Sequence, residues 1–246
     1  MEIKNYIYWD GIKFINKKKI SFFNDILNAN FITVPSAPVL VSIHSNHLLH
    51  NAIKDSDFSI IDSSLFAILC RFYFLRIYKY SGYRLVKDII DYLKKEKVSI
   101  FLIDPSEHSA QTNKKFILQS TSIASSYYHN YVAPFYNENS SITDNRLLEK
   151  LELIKPRLII IGIAGGKQEI LGAYLKRNLT FETTILCTGA ALSFFTGEQA
   201  LISCTIDRMY LGWLFRILNN PKIFLPRYLS AIKFILIFFQ HPVKKS

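Results

Sequence analysis

Leu158 to Ile163 is an apolar run broken only by Gly162, and it empties into Ala164-Gly165-Gly166. Lys167, Gln168 and Glu169 then open a helical pattern through Leu171, Tyr174 and Leu175. A strand without polar alternation must be covered on both faces, so the chain around it has to supply helices to either side. A glycine turn between such a strand and a helix is also where open α/β sheets bind ligands, because backbone N–H groups and a helix N-terminus converge there. The spacing is neither a Walker A loop nor G-x-G-x-x-G, so the turn by itself indicates a nucleotide or phosphate only in general terms.

The rest of the chain repeats the pattern. Asn30 to Val34, Phe58 to Ile61, Val98 to Ile103 and Thr183 to Cys187 read as short buried strands. Helical spacing covers Val39 to Ile53, Leu65 to Tyr73, Gly82 to Lys94, residues 106–119 and residues 145–154. Residues 6–15 read as a hairpin turning at Asp10-Gly11, Ser21 as the cap of a short helix to Leu27, and Ile123 to Tyr131 fits neither period cleanly. Strands alternating with helices from about residue 30 to 195 predict an α/β fold: a mostly parallel, Rossmann-like sheet with helices on both faces. The predicted division is an α/β domain with a ligand site over residues 1–200 and a C-terminal appendage over residues 201–246.

The appendage has its own character. From Asp207 onward one acid faces Arg208, Arg216, Lys222, Arg227, Lys233, Lys244 and Lys245, interleaved with residues such as Met209, Tyr210, Trp213, Phe215 and Phe224. The run Tyr228 to Phe239 is too short to span a bilayer and is interrupted by Lys233. Basic, aromatic and amphipathic composition predicts helices lying in a membrane interface. The chain's net charge of +11 calls for an anionic partner. With that charge concentrated in an apolar terminus, lipid is favoured over nucleic acid. The N-terminus has no apolar segment of signal-peptide type. Cys70, Cys187 and Cys204 lack C-x-x-C spacing, which points away from a disulfide framework or zinc site and toward a reducing setting.

Four blocks then resemble the WecG/TagA/CpsF glycosyltransferases: Thr33-Val-Pro-Ser-Ala-Pro38; Ile60-Ile-Asp62-Ser-Ser64; Gly162-Ile-Ala-Gly-Gly-Lys-Gln-Glu169; and Cys187-Thr-Gly-Ala-Ala-Leu-Ser-Phe-Phe-Thr-Gly197. Arg208, Trp213, Arg216, Asn220-Pro221-Lys222 and Arg227 follow in the family's order. The resemblance spans roughly residues 30 to 228. It implies inverting transfer of an N-acetylmannosamine-type sugar from a UDP-sugar donor to a polyprenyl-diphosphate-linked sugar, in bacterial surface polysaccharide or teichoic acid synthesis. It also implies no metal or other cofactor, and a cytoplasmic protein held peripherally on the inner face of the membrane. A homo-oligomer is compatible with it. The sequence departs from the family's pattern in having Asp62-Ser63 for Asp-Gly, Pro35 and Ser36 where an Asn is usual, Gly166 for Pro, Lys79-Tyr-Ser-Gly-Tyr-Arg84 for Arg-Val-Thr-Gly-x-Asp, and Gly212 for the acid before Trp213.

The resemblance assigns Asp62 as the base that deprotonates the acceptor hydroxyl; an Asp capping the next helix is the plainer reading, since two serines follow. Donor contacts fall to Thr33, Ser36, Gly165, Gly166, Lys167, Gln168, Gly189 and Ala190. Against that stand turn residues before Pro38, a solvated first helical turn, and tight helix–strand packing of small residues. The acceptor diphosphate and membrane fall to Lys79, Arg208, Arg216 and Arg227, against simple snorkelling. His44, His47 and His50, three apart, would share a helical face, and no metal is assigned to them. Two other classes stay open: a family member that binds without catalysis, and a basic nucleic-acid- or lipid-binding protein.

Overall fold

A computed structural model describes residues 5–18, 20–21, 25–28, 30–137, 139–197, 218, 222 and 233–245. The hairpin forms as read: β1 (Tyr6–Trp9) and β2 (Ile12–Ile15) pair antiparallel. Asp10 and Gly11 both take positive φ (49° and 76°), as a two-residue hairpin turn requires to match strand twist. β2 then pairs in parallel with β4 (Phe58–Ile60), so the hairpin extends the main sheet.

The centre of that sheet is built from the apolar runs: β3 (Phe31–Thr33), β5 (Ile100–Asp104), β7 (Leu158–Ile161) and β8 (Thr184–Cys187). β6 (Tyr128–Val132) joins β5 at one edge, and the two-residue β9 (Lys244–Lys245) joins β1 at the other. The order is β6-β5-β7-β8-β3-β4-β2-β1-β9, parallel from β6 to β2. The α/β class and the mostly parallel sheet are therefore as the sequence predicts.

Side chains alternate between two apolar layers. Phe31, Phe101, Ile103, Ile159, Ile161, Ile185 and Cys187 face one layer; Ile32, Ile100, Leu102, Leu158, Ile160 and Leu186 face the other. The first layer is covered by α2 (His47–Lys54), α3 (Ser64–Arg71), α6 (Asn145–Ile154) and α7 (Lys167–Asn178); the second by α4 (Gly82–Lys95) and α5 (Glu107–Thr121). The single helix expected over Val39 to Ile53 is two. α1 (Ala37–Ser42) ends, and Asn46 starts α2 by accepting the Leu49 N–H at 3.0 Å. An Asn side chain that competes for backbone N–H groups favours a cap over a helix interior. His44 thus lies in the break, and the three histidines do not share one helical face. The short helix read from Ser21 to Leu27 lies largely outside the described residues.

The end of the chain returns to this core. Phe234 and Phe238, in the helical residues 233–240, are fully buried, and Phe238 stacks on Trp9 at 6.0 Å between ring centroids. The basic and aromatic stretch between residue 198 and this helix falls, but for residues 218 and 222, outside the described residues. No helix among the described residues is long and apolar enough to cross a membrane.

α7 approaches β3 closely enough to require glycine. A Cβ on Gly172 would sit 2.4 Å from Phe31 Cε2 and 3.1 Å from Cys187 Sγ, both in fully buried side chains. Gly172→Ala gains about 1 kcal/mol of helix propensity, but overpacking a closed core costs about 1–3 kcal/mol. The expected outcome is a lower urea midpoint with an unchanged slope. A stabilised variant would show that α7 has room to move off the sheet.

Candidate active site

Register brings the carboxyl ends of five strands to one line. Ile103 pairs with Ile161, Ile161 with Cys187, Cys187 with Thr33, and Thr33 with Ser59. The residues just past that line, Asp104, Gly162, Thr188 and the Ile61–Asp62 segment, form the rim. Here the chain leaves β7 toward one face, into α7, while β5 leads into α5, and β8 into the 3-10 turn Gly189–Ala191 and α8 (Ser193–Thr196), on the other. Connections that diverge on either side of neighbouring strands open a crevice at their carboxyl ends. A pocket of about 290 Å³ lies there, lined among others by Asp104, Asn113, Gly162, Thr188, Gly189 and Ser193.

The glycine turn is organised by its own helix. Gly166 has φ 93°, and its N–H donates to Glu169 Oε2 at 2.7 Å. Glu169 is fully buried, and burial pushes its carboxyl above the usual range, against the hydrogen bonds that hold it down. Gln168, 3% exposed, donates from Nε2 to Glu169 Oε1 and accepts the Gly189 N–H on Oε1 at 2.7 Å. Gln168 therefore braces the β7 turn against the β8 turn from beneath the crevice. Gly165 is needed for a further close approach: a Cβ there would meet Val39 Cγ2, in α1, at 2.7 Å. Three loops, after β3, β7 and β8, are packed into one floor.

Asp62 stands at the β4 end of the rim, half-buried. Its Oδ1 accepts the Gly82 N–H at 2.9 Å, at the start of α4. Ser63, rather than Asp62, caps α3, accepting the Phe66 N–H at 3.2 Å. The Asp62–Gly82 contact places a carboxylate at the N-terminus of the 14-residue α4. Gly82 in turn lies against the 3-10 turn, a Cβ there meeting Ala191 Cβ at 3.3 Å. This contact joins the surroundings of Asp62 to the loop that lines the pocket.

The remaining residues singled out from the sequence fall in different places. Gly189 and Ala190 face the crevice, and Ala190 is exposed. Ser36 is half-buried at the N-cap of α1, its side chain not bonded to that helix. Thr33 is fully buried below the rim, its Oγ1 2.7 Å from Ser59 Oγ. Lys167 turns outward, its Nζ 4.1 Å from the centre of the exposed Phe135 ring. Lys79 is half-buried two residues before Ser81, the N-cap of α4. Arg208, Arg216 and Arg227 lie outside the described residues.

Two further polar residues line the pocket outside the sequence blocks, Asp104 and Asn113. Asp104 is 1% exposed and accepts Asn113 Nδ2 at 2.7 Å, and Asn113 Oδ1 is buried with no hydrogen-bond partner among the described residues. The available signal was an acid ending an apolar strand, the same pattern that marks Asp62. Nothing in the sequence pairs it with a residue nine positions on until β5 and α5 are folded together. Tyr128 lies near the same carboxylate; burial, then Asp104, raise its phenol well above its ordinary value. Cys70 and Cys187 are buried free thiols, with Cys70 pushed up to about 12 by burial, which makes them packing groups rather than nucleophiles.

The rim therefore offers a carboxylate, a braced floor of backbone turns and an adjoining polar pocket. No curated protein matches the chain. The family model for the glycosyl transferase WecG/TagA/CpsF family matches residues 16–246. That match covers nearly the whole length and takes in every element of the rim, so the chain belongs to the WecG/TagA/CpsF glycosyltransferase family.

Proposed function

We propose that this glycosyltransferase moves an N-acetylmannosamine-type sugar from a UDP-sugar to a polyprenyl-diphosphate-linked sugar, with inversion at the anomeric carbon. The observation that carries the reading is the placement of Asp62: a half-buried carboxylate on the rim, joined through Gly82 and Ala191 to the pocket between α5 and the β8 turn. Asp62 takes the proton from the acceptor hydroxyl as that oxygen attacks the anomeric carbon. The glycosidic bond to the donor phosphate breaks, and UDP leaves with the bonding pair.

The donor's nucleoside end enters the pocket beside Asp104, Asn113 and Ser193, and its diphosphate crosses the glycine turns toward Asp62. Charge on the departing diphosphate is met by preorganised backbone dipoles and basic side chains, which act most strongly where water is excluded. Lys79, three residues before the Gly82 whose N–H Asp62 accepts, is assigned to the acceptor side. Arg208, Arg216 and Arg227 are assigned to the acceptor diphosphate, and no metal or other cofactor is assigned to the reaction.

Peripheral attachment to the cytoplasmic face of the membrane belongs to the same proposal. Supporting it, Phe72 and Phe74 after α3 are 67% and 96% exposed, and Leu236 and Phe239 of the C-terminal helix are 71% and 49% exposed. Phe72 meets Phe239 edge to face at 6.2 Å, so the two segments present one apolar surface. Basic residues preceding that helix would add attraction to anionic lipid.

A UDP-release assay tests the reaction. Purified protein receives a panel of UDP-sugars and a short-chain polyprenyl-diphosphate GlcNAc acceptor, without added divalent metal. Release that requires both donor and acceptor is expected, with the N-acetylmannosamine donor fastest. No acceptor-dependent release with any UDP-sugar would overturn the proposal.

A further inference from the structure

At the amino-terminal end of β2, opposite the Ile15 end that pairs beside Ile60, three chain segments bring imidazoles onto one carboxylate supplied by a fourth. Asp10 comes from the hairpin turn, His44 from the break between α1 and α2, His50 from α2, and His241 from just past the C-terminal helix. Asp10 Oδ2 is 3.7 Å from His44 Nε2, and Asp10 Oδ1 is 3.1 Å from His241 Nδ1. One ligand atom each from Asp10, His44 and His241 all lie within 4.8 Å of one another. His50 Nε2 lies 2.9 Å from the Asp10 carbonyl oxygen and 3.4 Å from Asp10 Oδ2.

We propose that Asp10, His44 and His241 bind a divalent first-row metal ion, zinc foremost, which fastens the returning C-terminal segment to the α/β core. Ligand atoms around tetrahedral zinc stand about 3.3 Å apart, from metal–ligand bonds of about 2.0–2.1 Å. Asp10 meets the two histidines through different oxygens, and one ligand atom from each of the three residues lies within 4.8 Å of the others, so side-chain rotation draws them in to that spacing around the ion. Two imidazoles and a carboxylate, without thiolate, suit zinc, cobalt, nickel or copper better than calcium or magnesium. His50 holds the Asp10 loop through the backbone carbonyl, the outer-shell bracing that ligating carboxylates commonly have.

The packing around the cluster gives the ion a mechanical role. His44 and His241 rings are 4.9 Å apart, and Trp9 meets both edge to face at 6.0 and 6.2 Å. His241 directly follows the helix that buries Phe234 and Phe238, and Lys244–Lys245 then pair with β1. An ion here joins residues 231 positions apart in sequence, from Asp10 to His241. The site is at the far end of β2 from the catalytic rim and has no part in the chemistry.

The test uses the full chain, purified without a polyhistidine tag and stripped of metal. Titration with Co²⁺ is expected to give one ion per chain, with the visible absorption of a tetrahedral nitrogen–oxygen site that Zn²⁺ displaces. Asp10→Asn and His241→Ala are expected to weaken binding at least about a hundredfold, while His47→Ala leaves it unchanged. In the unmutated protein, Zn²⁺ should shift the imidazole ¹⁵N resonances of His44 and His241 and leave that of His47 in place, a readout that needs no variant to fold. Absence of saturable one-to-one binding, or equal affinity after His241→Ala, would overturn the proposal and leave the cluster as a hydrogen-bonded latch.

Discussion

Asp62→Asn should leave the protein folded and lower its turnover roughly 10²–10⁴-fold, the range that a positioned general base contributes. The substitution is chosen for what it preserves. Asn keeps an oxygen that accepts the Gly82 N–H, now made at 2.9 Å, so the start of α4 remains capped. What is lost is the ability to take a proton. The expected signature is a fall in kcat with little change in the donor KM. Asp62→Ala would confuse the result, because removing an N-terminal acceptor costs about 0.5–2 kcal/mol in its own right. Turnover within a few fold of the parent protein for Asp62→Asn would remove Asp62 from the mechanism and reduce it to the helix-capping role that its hydrogen bond already shows.

That dual placement marks where the sequence stops being readable. β5, β7 and β8 are legible because both their faces are buried, which forces unbroken apolar runs such as Leu158 to Ile161. β6 is not, because it is an edge strand: Tyr128 is buried, while His129 to Val132 are only partly so, and its sequence carries neither period. The α1–α2 break is hidden by Ile43, which continues the apolar spacing across the gap, while α1 stops at Ser42 and Asn46 caps the start of α2. At the rim, the sequence identifies the loops but not the work each side chain does. Gln168 sits on the expected turn, yet its carbonyl oxygen is held by the Gly189 N–H, a contact between residues 21 apart. Asp104 and Asn113 became visible as a pair only once β5 and α5 packed. Such contacts depend on strand order, and local pattern does not encode strand order.

The C-terminal return is the clearest case, and Phe238→Ala is expected to expose it by destabilising the whole fold by about 3–5 kcal/mol, the usual cost of emptying a buried phenylalanine site. Composition presents residues 201–246 as an appendage, basic and apolar in turn. The structure gives the end of that stretch a second function. Phe238 stacks on Trp9 with 15° between ring planes and meets Phe66 edge to face at 5.7 Å. Trp9 Nε1 donates to the Phe238 carbonyl at 3.4 Å, and Phe234 closes the same cluster. Trp9 and Phe66 belong to β1 and α3, so the terminal helix is part of the first apolar layer. The exposed neighbours Leu236 and Phe239 point the other way, toward the surface proposed to meet lipid. Leu236→Ser should therefore change liposome association with little effect on the urea midpoint, and Phe238→Ala should do the reverse at temperatures where the variant remains folded. If Phe238→Ala unfolds at the same urea concentration as the parent chain, residues 233–245 are not integral to the core, and the structural role assigned to them fails with that result.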